Sequence, residues 1–201
     1  MSDETVLRPL PQALGLDSSR CLSEVSSLIV KEKLSWSGGD FSVKNAAGEV
    51  VVTIKGSIIG SKREFTSGSG SPLFTMKKEH FHPIHPTWKL EDASGKKFLT
   101  MSKEFMTLKE KFHVTFSNAL AGGEEVELLV QGSWLKRKVD VYWGDNLVAK
   151  IRKKIAIQWM GNDTYGVEVA PGADYVLMAA LAVAIDECHD AQQKSGGWSS
   201  G

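Results

Sequence analysis

"DYVLMAALAVAIDE" (174–187) is the stretch that decides the fold. Between Tyr175 and Ile185 the only polar group is a phenol, and most residues are alanine or aliphatic. A helix crossing a bilayer needs about 20 apolar residues, whereas a run of about 10–14 is usually buried in a core. This run spans only ~16 Å at the helical rise per residue. Asp174 precedes it and Asp186 and Glu187 follow it, so acidic residues close both ends. Asp174 also suits an N-cap, because Pro171 and Gly172 break the chain just upstream. A helix apolar on every side must be enclosed on every side. The expectation is a core helix and no transmembrane span.

The rest of the chain must supply the enclosure. At 201 residues it has room for one large domain, and β-barrels of this size are commonly single units. Lysine plus arginine, 24, equals aspartate plus glutamate, 24, so no global field favours nucleic acid. Two cysteines, Cys21 and Cys188, fit a reduced compartment and no disulfide framework. Residues 1–20 lack the basic-then-apolar order of a signal segment, which makes a cytoplasmic protein the expectation. Residues 1–23 and the Gly/Ser-rich stretch 191–201 show no periodicity and are expected to be unstructured tails. The folded body then spans 24–190.

Within the body the chain repeats. "SGSPLFTMKKE" (69–79) returns as "SGKKFLTMSKE" (94–104), with weaker copies in "AGEVVVTIKG" (47–56) and "WGDNLVAKIRKK" (143–154). Each places a glycine-bearing polar turn before alternating apolar residues, which is a β-hairpin signature. Strands are predicted near 40–45, 49–55, 62–67, 71–77, 86–92, 96–102, 110–117, 124–131, 133–142, 146–153, 155–160 and 163–170. A barrel's diameter grows with its strand number, and about eight strands give an interior that side chains alone fill. About twelve leave a lumen that needs a filling, and the alanine-rich helix has the girth for it. The predicted fold is mainly β: a twelve-stranded antiparallel closed barrel around a hydrophobic C-terminal helix.

Three segments, "WKLEDASGKKFLTMSKEFMTL" (88–108), "QGSWLKRKVDVYWGDNLVAKIRKK" (131–154) and "TYGVEVAPGADYVLMAALAVAIDE" (164–187), resemble the LURP-one-related family of the tubby C-terminal-like superfamily. The resemblance covers roughly residues 25–190. Its most specific part is Tyr165-x-Val167-x-Val169-x-Pro171-Gly172-x-Asp174 running into the apolar helix. It implies the same twelve-stranded barrel, and kinship with phosphoinositide-binding tubby domains and with phospholipid scramblases. It brings no catalytic residue set. The scramblases' acidic calcium-binding segment has no counterpart here, and no EF-hand spacing occurs.

The remaining motifs carry little chemistry. His80, His82 and His85 crowd one proline-rich stretch, but no cysteine or carboxylate pair completes a four-ligand site. They read as loop histidines, and no metal or cofactor is expected. Cys188 and His189 adjoin at a helix end, which points their side chains apart. No G-x-S-x-G elbow is present, and "GSIIGSK" (56–62) lacks phosphate-loop spacing. Trp88, Trp134, Trp143 and Trp159 read as barrel packing.

One surface feature stands out. "WLKRKVDVYWGDNLVAKIRKK" (134–154) holds seven basic residues against two aspartates. If Val139, Val141, Ala149 and Ile151 face inward, then Lys136, Lys138, Lys150 and Arg152 face outward together. A three-residue loop near Gly144-Asp145 would preserve that parity across the hairpin. The four cations are the candidate anion site, with phosphoinositide headgroups as the leading ligand. The resulting expectation is a monomeric, non-enzymatic binding module that recognises anionic membrane lipid, as a peripheral protein, or a protein partner. The alternative is a scramblase-like protein whose helix leaves the barrel for lipid.

Overall fold

Alternation of apolar and polar residues, repeated strand after strand, builds a single closed sheet. The computed structural model describes residues 6–33, 40–57, 62–79, 87–104, 110–134, 138–153 and 164–196. Its strands are β1 (Ser26–Lys33), β2 (Asp40–Lys44), β3 (Val50–Gly56), β4 (Arg63–Ser67), β5 (Pro72–Glu79) and β6 (Thr87–Glu91). Then follow β7 (Lys97–Glu104), β8 (Glu110–Asn118), β9 (Glu124–Ser133), β10 (Lys138–Trp143), β11 (Asn146–Lys153) and β12 (Thr164–Val169). Each strand pairs antiparallel with the next, and β1 closes the barrel on β12 from Ser26↔Val169 to Lys31↔Thr164.

Twelve strands among the described residues match the expected number, by a partly different route. β1, "SSLIVKEK", was missed because the half-buried Ile29 blurs an alternation whose inward residues are Ser26, Leu28 and Val30. The expected strand at 155–160 lies outside the described residues. The strand expected at 133–142 divides, since β9 runs on to Ser133 and β10 starts at Lys138.

The sequence repeat has a local cause. Three turns, at 45–49, 67–71 and 92–96, have the same construction. In each, an Asn, Ser or Asp side chain accepts the N–H four residues on: Glu49 to Asn45 Oδ1, Ser71 to Ser67 Oγ and Lys96 to Asp92 Oδ1, all at 3.0 Å. The fourth residue is glycine with positive φ, Gly48, Gly70 or Gly95, as a turn entering a bulge requires. Each hairpin accordingly carries one extra residue beside its turn: Val51 in β3, Leu73 in β5 and Phe98 in β7.

Helix α1 (Tyr175–Gly196) occupies the lumen. From Val176 to Ile185 no residue is more than 2% exposed. It packs against inward side chains of the whole ring, including Phe41, Ile54, Phe65, Met76, Leu90, Met101, Phe112 and Leu128. Among the described residues no helix is long and apolar enough to cross a membrane.

The expectation of an unstructured segment 1–23 is corrected from residue 6 onward. Residues 10–22 form a strap across the barrel end where α1 begins. Leu14 is fully buried. Its N–H donates to Gly172 O at 2.9 Å, and its carbonyl accepts from Asp174 N at 2.8 Å. Asp174 caps α1 through Oδ1, which accepts from Val176 N and Leu177 N, while Oδ2 accepts from Leu16 N at 3.2 Å. Buried Asn118 completes the fastening, accepting from Gly15 N and donating to Ala13 O, both at 3.0 Å. The strap lies so close that a side chain at Gly15 would meet Asp174 Cβ at 2.2 Å. Local periodicity carries no trace of this, because the strap is held by backbone bonds to the far end of the chain. At the other terminus the helix continues to Gly196, past the expected boundary at 190.

Candidate functional site

The lumen holds the helix, and the residues facing its far half are structural. Arg63, at the start of β4, points inward and reaches Glu187 with Nη2 at 2.6 Å and Nε at 3.0 Å. Trp88 Nε1 donates to Cys188 Sγ at 2.8 Å. His189 stacks on Trp134 with ring centroids 5.7 Å apart, and its Nε2 lies 3.1 Å from Glu110 Oε2. Cys188 and His189 therefore meet different partners on different strands, an arrangement unlike a nucleophile and its base. These fastenings escaped sequence reading, although Arg63 gave a signal: it shares its strand parity with the core residue Phe65.

Neither cysteine is an activated thiol. Burial pushes Cys188 up to about 12 and Cys21 up to about 11, where a nucleophilic thiolate needs the opposite shift. Cys188, 2% exposed, should resist iodoacetamide at pH 8 in the folded protein, and half-buried Cys21 should react more slowly than it does in urea, as mass spectrometry would record. Rapid alkylation of folded Cys188 would contradict its burial. The unfolded chain loses these protons first, so their contribution to stability falls as pH rises from about 9 toward the folded values.

The outer basic face is partly as expected. Lys138 stands directly across from Arg152, and Asp140 across from Lys150, with Val139↔Ile151 and Val141↔Ala149 as the inward pairs. Lys138 is exposed, and Lys150 and Arg152 are half-buried. Lys136 lies outside the described residues. The loop itself differs from expectation. Only Gly144 and Asp145 separate β10 from β11, and parity is restored by a bulge at Val148, between the pairs Val141↔Ala149 and Tyr142↔Leu147.

The cations are not equivalent. Arg152 Nη2 donates to Asp140 Oδ1 at 2.6 Å and Nη1 donates to Val139 O at 2.8 Å. Asp140 thereby relieves the repulsion between Lys138 and Arg152 that opposed like charges would otherwise suffer. Lys150 also faces Glu168 across β12. The face presents two lysines flanking a closed Arg–Asp pair. The histidines at 80, 82 and 85 lie outside the described residues. Among those that are described, no three His, Cys, Asp or Glu gather to hold a metal.

The model of the LURP-one-related family matches residues 26–186, from the first residue of β1 to the far half of α1. The chain belongs to this family. Among LURP-one-related relatives, Protein LURP-one-related 15 of Arabidopsis thaliana is 29% identical over 193 residues, covering 89% of this chain and 88% of that protein. Protein LURP-one-related 1 of the same plant is 24% identical over 193 residues, covering 89% and 85%. The LURP-one-related barrel also resembles the X-ray structure of a protein from Arabidopsis thaliana, with a TM-score of 0.57 at 20% identity. That likeness covers 88% of this chain and 99% of the other, and it concerns the fold alone.

Proposed function

We propose that the protein is a non-catalytic binding module that recognises anionic phospholipid headgroups through the outer face of β10 and β11, at the cytoplasmic surface of a membrane. The observation carrying this reading is the filled lumen: α1 takes the space where an enclosed ligand or substrate would sit, which leaves recognition to the exterior. On that exterior Lys138 and Lys150 project from adjacent strands beside Arg152, which Asp140 holds in place. Ammonium groups suit phosphate oxygens, and a multiply phosphorylated headgroup bridges more than one of them. The scramblase-like alternative gains no support, since it requires α1 to leave its enclosure.

Each basic residue near an anionic surface contributes about 1 kcal/mol. Reversing two charges in Lys138→Glu/Lys150→Glu should therefore weaken vesicle binding well over tenfold. The barrel should still fold, with some loss of melting temperature, because a glutamate at 150 would oppose Asp140 and Glu168. Binding should also weaken steeply from low to physiological salt. The test is flotation of both proteins with phosphoinositide-containing vesicles at two ionic strengths. No wild-type binding at low salt would overturn the lipid reading in favour of a protein partner. Equal binding by wild type and double variant would remove this face from it.

A further inference from the structure

A second feature is the use the fold makes of its sequence repeat. The bulges beside the turns at 67–71 and 92–96 put Leu73 and Phe98 at equivalent positions on β5 and β7. A bulge re-aims its extra side chain, and bulges concentrate near functional sites. Here both residues remain half-buried at the strap end of the barrel, where they line a cleft of about 570 Å³. Leu120 adds a third apolar wall. The volume lies within the range of small-molecule sites, roughly 300–1,000 Å³.

The rim of this cleft is cationic. Lys96, which ends the repeated turn, Lys97, which opens β7, and Arg20, from the strap, line it together with Asp17 and Asp92. Both carboxylates are committed to the backbone fold. Asp17 accepts from Ser19 N at 3.0 Å and Ser19 Oγ at 2.7 Å, and it meets Arg20 at 3.3 Å. Asp92 accepts from Ser94 N, Ser94 Oγ and Lys96 N at 2.9, 2.6 and 3.0 Å. Lys96 and Lys97 are exposed and, among the described residues, make no ion pair. An apolar floor beneath two exposed ammonium groups complements a molecule with one anionic head and an apolar body.

We infer that the cleft between the strap and the β5–β7 hairpins binds a small anionic amphiphile, a fatty or aromatic carboxylate or sulfonate, with Lys96 and Lys97 on its head and Leu73, Phe98 and Leu120 against its body. This site lies away from the β10–β11 face and does not depend on that face binding lipid.

The probe is 8-anilinonaphthalene-1-sulfonate, a monoanion with an aromatic body, titrated by fluorescence into the full-length protein. The wild type should bind one equivalent, displaced by dodecanoate and not by dodecyltrimethylammonium. Lys96→Glu/Lys97→Glu should raise the Kd at least tenfold in protein that still melts cooperatively, although a glutamate at 97 would face Glu91 and lower the melting temperature somewhat. Lys96→Arg/Lys97→Arg, which keeps the charge, should bind as the wild type does, and so should Lys138→Glu/Lys150→Glu. Absence of wild-type binding, equal displacement by the cationic amphiphile, or unchanged affinity in the Lys96→Glu/Lys97→Glu variant would each overturn the inference. Loss of binding in Lys138→Glu/Lys150→Glu would overturn it too, because the dye would then report the other face.

Discussion

Leu181→Asp is expected to give a chain that does not fold. Leu181 is fully buried midway along the apolar part of α1, surrounded by barrel side chains. A carboxylate there has no partner, and burying it costs several kcal/mol even after it takes up a proton. Losing the leucine's packing adds about 2–5 kcal/mol. Together these approach the whole stability of an ordinary domain, about 5–15 kcal/mol. Expression should yield insoluble protein, or soluble protein without a cooperative melting transition. A soluble Leu181→Asp protein melting at the wild-type temperature would mean that α1 is not enclosed.

The second large effect belongs to the inward arginine. Arg63 and Glu187 keep only 9% and 16% of their side chains exposed and form a two-pronged ion pair. Arg63→Ala leaves the Glu187 carboxylate desolvated and alone, a loss of about 3–5 kcal/mol. Removing both charges, in Arg63→Met/Glu187→Leu, should recover most of it, since a buried pair is often replaceable by apolar groups of similar volume. Urea unfolding of the wild type, Arg63→Ala and the double variant measures this directly. If Arg63→Ala keeps the wild-type midpoint, the pair does not anchor the helix end.

The parts of this architecture that sequence revealed are those with local causes. The eleven apolar residues from Tyr175 to Ile185 announced an enclosed helix because each helical face is apolar. The turns announced themselves through Gly48, Gly70 and Gly95, each at a position where positive φ is needed. The strap gave no such sign, since Leu14 and Leu16 are isolated apolar residues whose partners lie at 172–174. On the outer face, alternation together with an expected three-residue loop placed Lys138, Lys150 and Arg152 on one side, which the bulge at Val148 achieves instead. It did not reveal that Asp140 engages Arg152, because cross-strand pairing near a turn depends on where a bulge falls, and that bulge sits at Val148. The cleft lined by Leu73 and Phe98 was equally hidden. The repeat was visible, but its extra residues read as ordinary members of an alternating strand.

The closure of the barrel has a consequence for how the chain is made. β1 and the strap are synthesised more than a hundred residues before their partners β12, residues 170–174 and the start of α1. Until then β1 can pair only on its β2 side, and its other edge and the apolar inner face of the sheet stay uncovered. Contacts that join opposite ends of a sequence form slowly, because a long loop must close before they reward it. Closure of this barrel thus waits until residues 164–196 have been made, and until then the growing chain carries an aggregation-prone edge.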